Sequence, residues 1–126
     1  MIYGMGIDIV EVRRMEEIIQ KWGGRFVARV FSQGEIAYCT SCALPAMHYA
    51  ARFAVKESFL KSLGMGLGMG LCLRDIEVTS GRQGKPEVRL RGKAEDILRR
   101  QGIGAVHLSL SHTRQSATAV VVLEKG

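Results

Sequence analysis

The sequence predicts an α+β domain in which a mostly antiparallel sheet packs on one long helix. Three observations lead to this prediction: a long run of helix-forming residues, apolar strand patterns at both ends of the chain, and a hairpin pattern between them. The length of 126 residues suits a single domain, residues 1–126, with a core of its own.

The long helix is predicted over residues 50–64, which contain strong helix formers and no proline and end at Gly64. Pro45 suits its first turn. Apolar residues cover it nearly all round, which is typical of a buried helix. Glu57 and Lys61 lie one turn apart on it. A buried carboxylate needs a partner or a metal, whereas the alternative is an ordinary ion pair on a solvated face.

The first strand is predicted over residues 2–11, which are apolar and β-branched. Aspartate is uncommon inside strands, so Asp8 needs an explanation. Strand alternation puts Gly4, Gly6 and Asp8 on one side, where two positions without side chains leave room for a close approach. The alternative is a strand-end aspartate that caps nearby backbone.

Helical periodicity follows the first strand directly. Apolar residues recur at helical spacing from Val12 to Phe26, with an interruption at Gly23 and Gly24. Ser32 and Ser41 are each able to start a later helical segment.

The C-terminal half begins with a glycine-alternating stretch, residues 64–70, which could present backbone N–H groups to phosphates. Alternation and turn residues then predict a hairpin, a short helix and two strands joined by a turn. These elements are the hairpin strands 75–79 and 87–91, the helix 93–101, and the strands 107–111 and 117–123 with the turn 112–115.

The charge of the chain is strongly positive, with 18 Lys and Arg against 12 Asp and Glu, a net charge of +6. Such an excess favours an anionic partner, which could be nucleic acid, a phosphorylated small molecule or an acidic protein. One candidate class is therefore a non-enzymatic basic nucleic-acid-binding module. The sequence lacks the basic stripe interleaved with aromatic residues that would support it.

The three cysteines and the apolar segments indicate in which cellular compartment we expect the protein. Neither a membrane-spanning run nor a secretory signal is visible, and an odd cysteine count without an export signal indicates a reducing cytoplasm. Cys39 and Cys42 have C-x-x-C spacing, and Cys72 with His48 could complete a zinc site. We favour structural or incidental cysteines, because a closed zinc site normally shows a second tight ligand pair.

A possible site for chemistry combines the two unusual carboxylates. Asp8 and Glu57 would form a pair of oxygen ligands if the fold brings them together, and Mg²⁺ is typically held by one or two carboxylates plus substrate phosphate oxygens. Lys61 could then contact a phosphoryl oxygen. This set suits phosphoryl transfer, in which positioning and charge neutralisation supply most of the catalysis.

Six motifs stand in order along the chain: Gly6 to Val12, Arg52 to Ser58, Lys61 to Gly64, Asp75 to Val78, Gly84 to Pro86 and Leu108 to Thr113. Together they resemble the signature of the holo-[acyl-carrier-protein] synthases, the small bacterial-type branch of the 4'-phosphopantetheinyl transferases. The resemblance covers essentially the whole chain. It departs from the family between Gln33 and Met47, where the cysteine-containing loop leaves partner choice open.

The resemblance implies Mg²⁺-dependent transfer of the 4'-phosphopantetheine group from coenzyme A to a serine of apo acyl carrier protein. Adenosine 3',5'-bisphosphate is the other product, and the reaction supports fatty acid biosynthesis. Asp8 and Glu57 would bind the metal with the coenzyme A pyrophosphate, and Lys61 would stabilise the reacting phosphates. The serine would be deprotonated by Glu57 or by a metal-bound water, and both remain open. The residues implied in coenzyme A binding are Arg52, Gly64, Lys85, Pro86, Ser111, His112 and Thr113.

The resemblance also implies a homotrimer whose active sites lie between neighbouring subunits. Carrier proteins are acidic, so the basic first helix is the expected docking surface. The residues that form this surface are Arg13, Arg14, Lys21 and Arg25. The alternative is an ordinary solvated basic face.

Overall fold

The computed structural model describes residues 1–64 and 70–126. One strand, four consecutive helices, a pair of strands, a further helix and two strands follow one another along the chain, which confirms the predicted α+β class. The elements are β1 (Ile2–Glu11), α1 (Val12–Trp22), α2 (Gly24–Val30), α3 (Gln33–Ser41), α4 (Pro45–Ser62), β2 (Ile76–Ser80), β3 (Pro86–Leu90), α5 (Gly92–Arg100), β4 (Ile103–His112) and β5 (Ser116–Lys125). None of the helices in the described ranges is long and apolar enough to cross a membrane.

Two antiparallel sheets form instead of one continuous sheet. In the first, β5 lies between β1 and β4, and in the second β2 pairs with β3. Between β3 and β4 lies a cavity of about 520 Å³ that is lined by side chains such as Val88 and Leu108. Strands β3 and β4 are in contact, but in the described residues no ladder of backbone hydrogen bonds joins the two sheets.

The long helix α4 lies on the inner face of the first sheet and contacts both β1 and β5. It begins with Pro45 at its first position and ends before Gly64, whose φ of 74° suits glycine. Phe59 and Val121, from α4 and β5, are fully buried in the shared core. The prediction of a buried helix is confirmed for most of its circumference.

The glycines of β1 allow α4 to approach the strand closely. A Cβ atom on Gly6 would overlap the carbonyl oxygen of Ser58, and one on Gly4 would overlap that of Ser62. The helix backbone therefore occupies the space that the missing side chains leave. This contact sets the distance between the strand that carries Asp8 and the helix that carries Glu57.

A buried ion pair joins α4 to α3. Both side chains are fully buried, and Lys56 Nζ lies 2.8 Å from Glu35 Oε1. The same ammonium group donates to the carbonyl oxygens of Leu73, at 2.9 Å, and Ile76, at 2.6 Å. Glu35 also forms a capping box with Ser32, which therefore starts α3.

Most of the remaining boundaries differ from the prediction by one or two residues, and larger differences occur at Ser41 and in β4. Ser41 is the last residue of α3 and starts no helix. Strand β4 begins at Ile103, earlier than predicted, because its pairing with β5 already starts opposite Lys125. It also includes His112, which was expected in the turn.

Candidate active site

The first group of site residues forms where β1 meets α4. Lys61 Nζ donates to Asp8 Oδ1 at 3.1 Å and to the carbonyl oxygen of Ile7 at 3.0 Å. The side chain of Lys61 is 52% exposed and that of Asp8 only 19%. The fold thus brings together the strand carboxylate and the helix ammonium that are far apart in sequence.

Glu57 completes this group from the preceding turn of α4. Burial and the nearby Asp8 carboxylate raise the pKa of Glu57, and the Lys61 ammonium opposes the shift. Two carboxylates therefore share one lysine and retain a mutual repulsion. A bound cation would relieve it, so the donor set fits Mg²⁺, which takes few protein ligands and fills the rest with phosphate and water oxygens.

The zinc alternative has no structural support. Among residues 1–64 and 70–126, no group of three or more His, Cys, Asp or Glu side chains could hold a metal ion. Cys39 is fully buried, and burial raises the pKa of its thiol to about 12. A thiol with such a pKa is a poor metal ligand, because metals bind the thiolate.

The second group of site residues lines a cavity of about 140 Å³ on the other side of α4. Arg52, Pro86 and His112 line it, as the prediction of one binding site requires. Arg52 is only 8% exposed, and its guanidinium lies 4.4 Å from the ring centre of Tyr38. In the described part of the chain, its buried Nε has no hydrogen-bond partner. An unpaired buried donor of this kind needs an explanation, and an acceptor on a bound ligand would supply one.

Four further predicted residues stand outside this cavity. Lys85 is exposed beside Pro86, and Gly64 is exposed after α4, whereas residues 65–69 of the glycine stretch lie outside the described residues. Ser111 precedes His112 on β4, so strand alternation turns its side chain to the opposite face of the sheet. Thr113 shapes the β4–β5 turn, because its hydroxyl accepts from the backbone N–H groups of Gln115 and Ser116.

The two groups lie on opposite flanks of α4. Asp8 faces Ala119 in the sheet, and His112 faces Ala117 on the other side of β5. Two strand spacings and a two-residue offset separate their Cα atoms by roughly 12 Å. On the helix, Arg52 and Glu57 point about 140° apart. Within one chain, α4 therefore stands between the acidic group and the cationic cavity.

The basic surface predicted for docking is exposed on α1 and α2. It comprises Arg13, Arg14, Lys21 and Arg25, all with exposed side chains. Arg13 pairs with Glu17 at 3.6 Å, an exposed contact. Beside this surface, Ile18, Trp22 and Phe26 line a groove of about 630 Å³. Trp22 is 54% exposed, so it belongs to this surface as well as to the amphipathic pattern of the helix.

Sequence reasoning missed Tyr38 and His48 as contributors to the site, and it missed Lys56 as the buried partner of Glu35. Lys56 was visible as a charge in an otherwise apolar helix, the same signal that pointed to Glu57. His48 was considered only as a zinc ligand, yet its ring centre lies 5.5 Å from that of His112 and 5.7 Å from that of Tyr38. These contacts arise from α3, α4 and β4, and periodicity within each element gives no sign of them.

Comparison with known proteins identifies the class. Residues 4–121 match the 4'-phosphopantetheinyl transferase superfamily. The chain belongs to this superfamily.

Relatives and solved structures narrow the class. A holo-[acyl-carrier-protein] synthase from Syntrophus aciditrophicus is 57% identical over 98% of this chain and 97% of the relative. The crystal structure of the holo-[acyl-carrier-protein] synthase from Neisseria meningitidis has a TM-score of 0.90 at 36% identity, covering 99% of this chain and 100% of that one. The Bacillus anthracis synthase, solved in complex with CoA (3',5'-ADP), has a TM-score of 0.81 at 34% identity, covering 100% and 99%. The predicted resemblance is confirmed, and the chain is an enzyme, a transferase.

Proposed function

We propose that this chain transfers the 4'-phosphopantetheine group from coenzyme A to a serine of apo acyl carrier protein, in a Mg²⁺-dependent reaction that supports fatty acid biosynthesis. Adenosine 3',5'-bisphosphate is the second product. The observation that carries the proposal is the meeting of Asp8, Glu57 and Lys61 between β1 and α4. The names of the relatives and the coenzyme A complex of the Bacillus anthracis synthase support it.

Asp8 and Glu57 are the residues that would hold Mg²⁺. When bound, the ion supplies positive charge that polarises the pyrophosphate of coenzyme A and neutralises the charge that develops on it. Asp8 is well placed for this role because β1 and α4 are fixed at close range by Gly4 and Gly6. The carboxylate geometry therefore depends on backbone contacts and needs no rearrangement of the core.

Lys61 and Glu57 supply the catalytic groups. Lys61 is half-exposed, so its ammonium can turn from Asp8 to a phosphate oxygen as a point charge. Glu57 lies beside Asp8 and Lys61, so its carboxylate is a candidate proton acceptor at this site. We propose that Glu57 takes the proton of the serine hydroxyl as the serine oxygen attacks the β-phosphorus of coenzyme A. The bond from that phosphorus to the bridging pyrophosphate oxygen breaks, and adenosine 3',5'-bisphosphate leaves.

The cavity at Arg52, Pro86 and His112 is the proposed site for the 3'-phosphate at the nucleotide end of coenzyme A. Its positive groups suit an anion, and the buried Nε of Arg52 supplies a donor. Lys85 adds positive charge at its edge. Gly64, Ser111 and Thr113 remain proposed coenzyme A contacts, with Thr113 acting through the turn that its hydroxyl organises.

We further propose that the active site is shared between subunits of a homotrimer. One coenzyme A molecule has to reach both groups, yet α4 separates them within one chain. A neighbouring copy would place its cationic cavity beside the acidic group of the first. The outer face of β1 supports self-association, because Met5, Ile7 and Ile9 are each more than 60% exposed, at 62%, 66% and 69%.

The basic surface of α1 and α2 is the proposed docking site for the acidic carrier protein. Opposite charges would raise the encounter rate and orient the partner, while the apolar groove at Trp22 and Phe26 adds area for burial. We place the reaction in the cytoplasm, which fits the three free cysteines.

The decisive experiment follows the mass of apo acyl carrier protein incubated with coenzyme A and the enzyme. We expect a mass gain equal to one phosphopantetheine group in the presence of Mg²⁺ and none in the presence of EDTA. An Asp8→Ala variant that remains folded by circular dichroism is the matched inactive control. Absence of a mass gain with several acidic carrier proteins would refute the proposal.

A further inference from the structure

The cavity beside α4 contains one group that the reaction as described does not use. His48 lies in the first turns of α4, and its ring meets His112 from β4 and Tyr38 from α3. Arg52 lies one turn further along the same helix and lines the same cavity. None of the described residues that line this cavity is acidic. Three side chains that can carry positive charge therefore converge without a counter-charge.

From these contacts we infer that His48 is a specificity-determining residue that binds the phosphate monoester of the nucleotide in its protonated form. Protonation adds a second positive charge beside that of Arg52 in the cavity, where the His48 ring also contacts His112. This inference rests on the proposed function, since it takes the ligand to be the 3'-phosphate of coenzyme A. If it holds, the affinity of the site for the nucleotide depends on pH.

Electrostatics of the ligand-free cavity agree with this role. Burial lowers the pKa of His48, and the neighbouring His112 and Arg52 lower it further. The titratable or charged groups that face His48 are Tyr38 from α3, His112 from β4 and Arg52 from α4, and none of them is a carboxylate. Burial and these two neighbours therefore disfavour the protonated ring in the ligand-free cavity. A bound phosphate dianion would raise the pKa of His48 again, because its negative charge stabilises the protonated ring.

The buried donor and the size of the cavity both suit a phosphate group. Arg52 is 8% exposed and, in the described part of the chain, its Nε lacks an acceptor, so a phosphate oxygen would satisfy a donor that the fold leaves unpaired. The cavity of about 140 Å³ has the volume of between about four and five waters at about 30 Å³ each. Four oxygen atoms around one phosphorus fit that space, whereas a whole nucleotide does not.

The direction of the pH effect follows from the two titrations. Affinity rises as the pH falls through the pKa of His48 in the complex, because the ring becomes a cation. Below about pH 6 the phosphate monoester loses its second charge, and the gain ends. In coenzyme A the pyrophosphate keeps its charge throughout this range. In adenosine 3',5'-bisphosphate the 5'-phosphate is also a monoester, and adenosine 5'-monophosphate therefore serves as the control for it.

Two measurements on the intact enzyme test the inference. The first is an NMR titration of the His48 imidazole, with and without adenosine 3',5'-bisphosphate. We expect the nucleotide to raise the pKa of His48 by about one unit. Adenosine 5'-monophosphate, which lacks the 3'-phosphate, should leave it unchanged. Inorganic phosphate that bound as tightly, with the same shift, would identify free phosphate as the ligand and overturn the assignment to the nucleotide.

The second measurement compares dissociation constants at pH 8 and pH 6.5 for the wild type, His48→Gln and His107→Gln. The wild type and the His107→Gln control should bind the bisphosphate up to about tenfold more tightly at pH 6.5. His48→Gln should lose most of this change. An unchanged pH dependence in His48→Gln would refute the inference even if carrier-protein modification proceeds. Absence of modification with tight nucleotide binding would refute the proposed transfer instead.

Discussion

Lys61 binds β1 at two points, since its ammonium donates to the Asp8 carboxylate at 3.1 Å and to the Ile7 carbonyl at 3.0 Å. One side chain thus holds an acidic group in position and shields its charge. The contact is half-exposed, so it adds at most about 1 kcal/mol to stability. Its role is therefore chemical more than structural.

Substitution of Lys61 or Asp8 should lower the activity of the enzyme and have little effect on its stability. We expect Lys61→Met and Asp8→Asn to lower kcat by at least about 100-fold, because each removes charge that the phosphates or the metal require. The melting temperature should change by only a few degrees. Lys125→Met, at an exposed lysine near the chain end, is the matched control and should retain turnover. Wild-type turnover in Lys61→Met would contradict the assignment.

Glu57→Gln should raise the stability of the ligand-free protein while it abolishes turnover. Because the fold raises the pKa of Glu57, the ionised carboxylate destabilises the folded state above that pKa. Stability of the wild type should therefore fall as the pH rises from the ordinary carboxyl pKa through the raised one. The variant should lack this fall, and its advantage should disappear at lower pH.

Thermal unfolding at several pH values, with and without Mg²⁺, measures the effect. Mg²⁺ should raise the melting temperature of the wild type and not that of Glu57→Gln, because binding to the folded state stabilises it. A variant less stable than the wild type at pH 7 would show that Glu57 makes a favourable contact instead.

Gly6→Ala should disturb the packing of β1 on α4. Its Cβ atom would overlap the Ser58 carbonyl oxygen, and relief requires the strand and helix to separate at a cost of about 1–3 kcal/mol. Gly24→Ala is the matched control because its Cβ would meet nothing within 4 Å. It should be neutral or slightly stabilising. Chemical denaturation measures both, and equal stability of the two variants would rule out the close contact.

Arg14→Glu should weaken the encounter with the carrier protein. Charge reversal on the docking surface should raise KM for the carrier protein by about tenfold at low salt, with less effect at high salt. The KM for coenzyme A should not change. Arg100→Glu, an exposed arginine on α5, is the control for net charge. A selective effect on coenzyme A binding would place Arg14 elsewhere in the mechanism.

Complementation tests the shared active site. Asp8→Ala and Arg52→Ala should each be inactive, but their co-expression should restore about a quarter of the wild-type activity, because one interface in four combines two intact halves. Light scattering should give the mass of a trimer, and Ile7→Asp should reduce it. Complete inactivity of the mixture, in assemblies shown to be mixed, would place both groups of residues in one chain.

The periodicity of apolar residues was sufficient to predict most of the helices and strands, as β1 and α4 show. Alternation identified a strand with an unusual aspartate, and the glycines beside it indicated a close approach, which proved to be to α4. The division into two sheets was not predictable, because it depends on how β3 and β4 lie next to each other in the folded chain. Local patterns report which face of an element is buried and not which neighbour covers it.

The cationic cavity beside α4 shows most clearly which contacts cannot be predicted from the sequence. Arg52 and His112 were expected in one site through their motifs, but His48 had only cysteines as suggested partners. Its actual neighbours come from three elements, and their approach depends on the packing of α3 and β4 against α4. Ser111 shows the converse, because adjacency to His112 in sequence puts its side chain on the other face of the strand.

The buried pair of Lys56 and Glu35 has a consequence for motion during turnover. Lys56 and Glu57 are adjacent on α4, and about 100° of helix rotation separates them. A rotation of α4 about its own axis that moved Glu57 toward a ligand would break the hydrogen bonds from Lys56 to Glu35 and to two carbonyl oxygens. These contacts oppose rotation of α4 about its axis. Any change of conformation on ligand binding then has to come from side-chain rotamers and from movements between subunits.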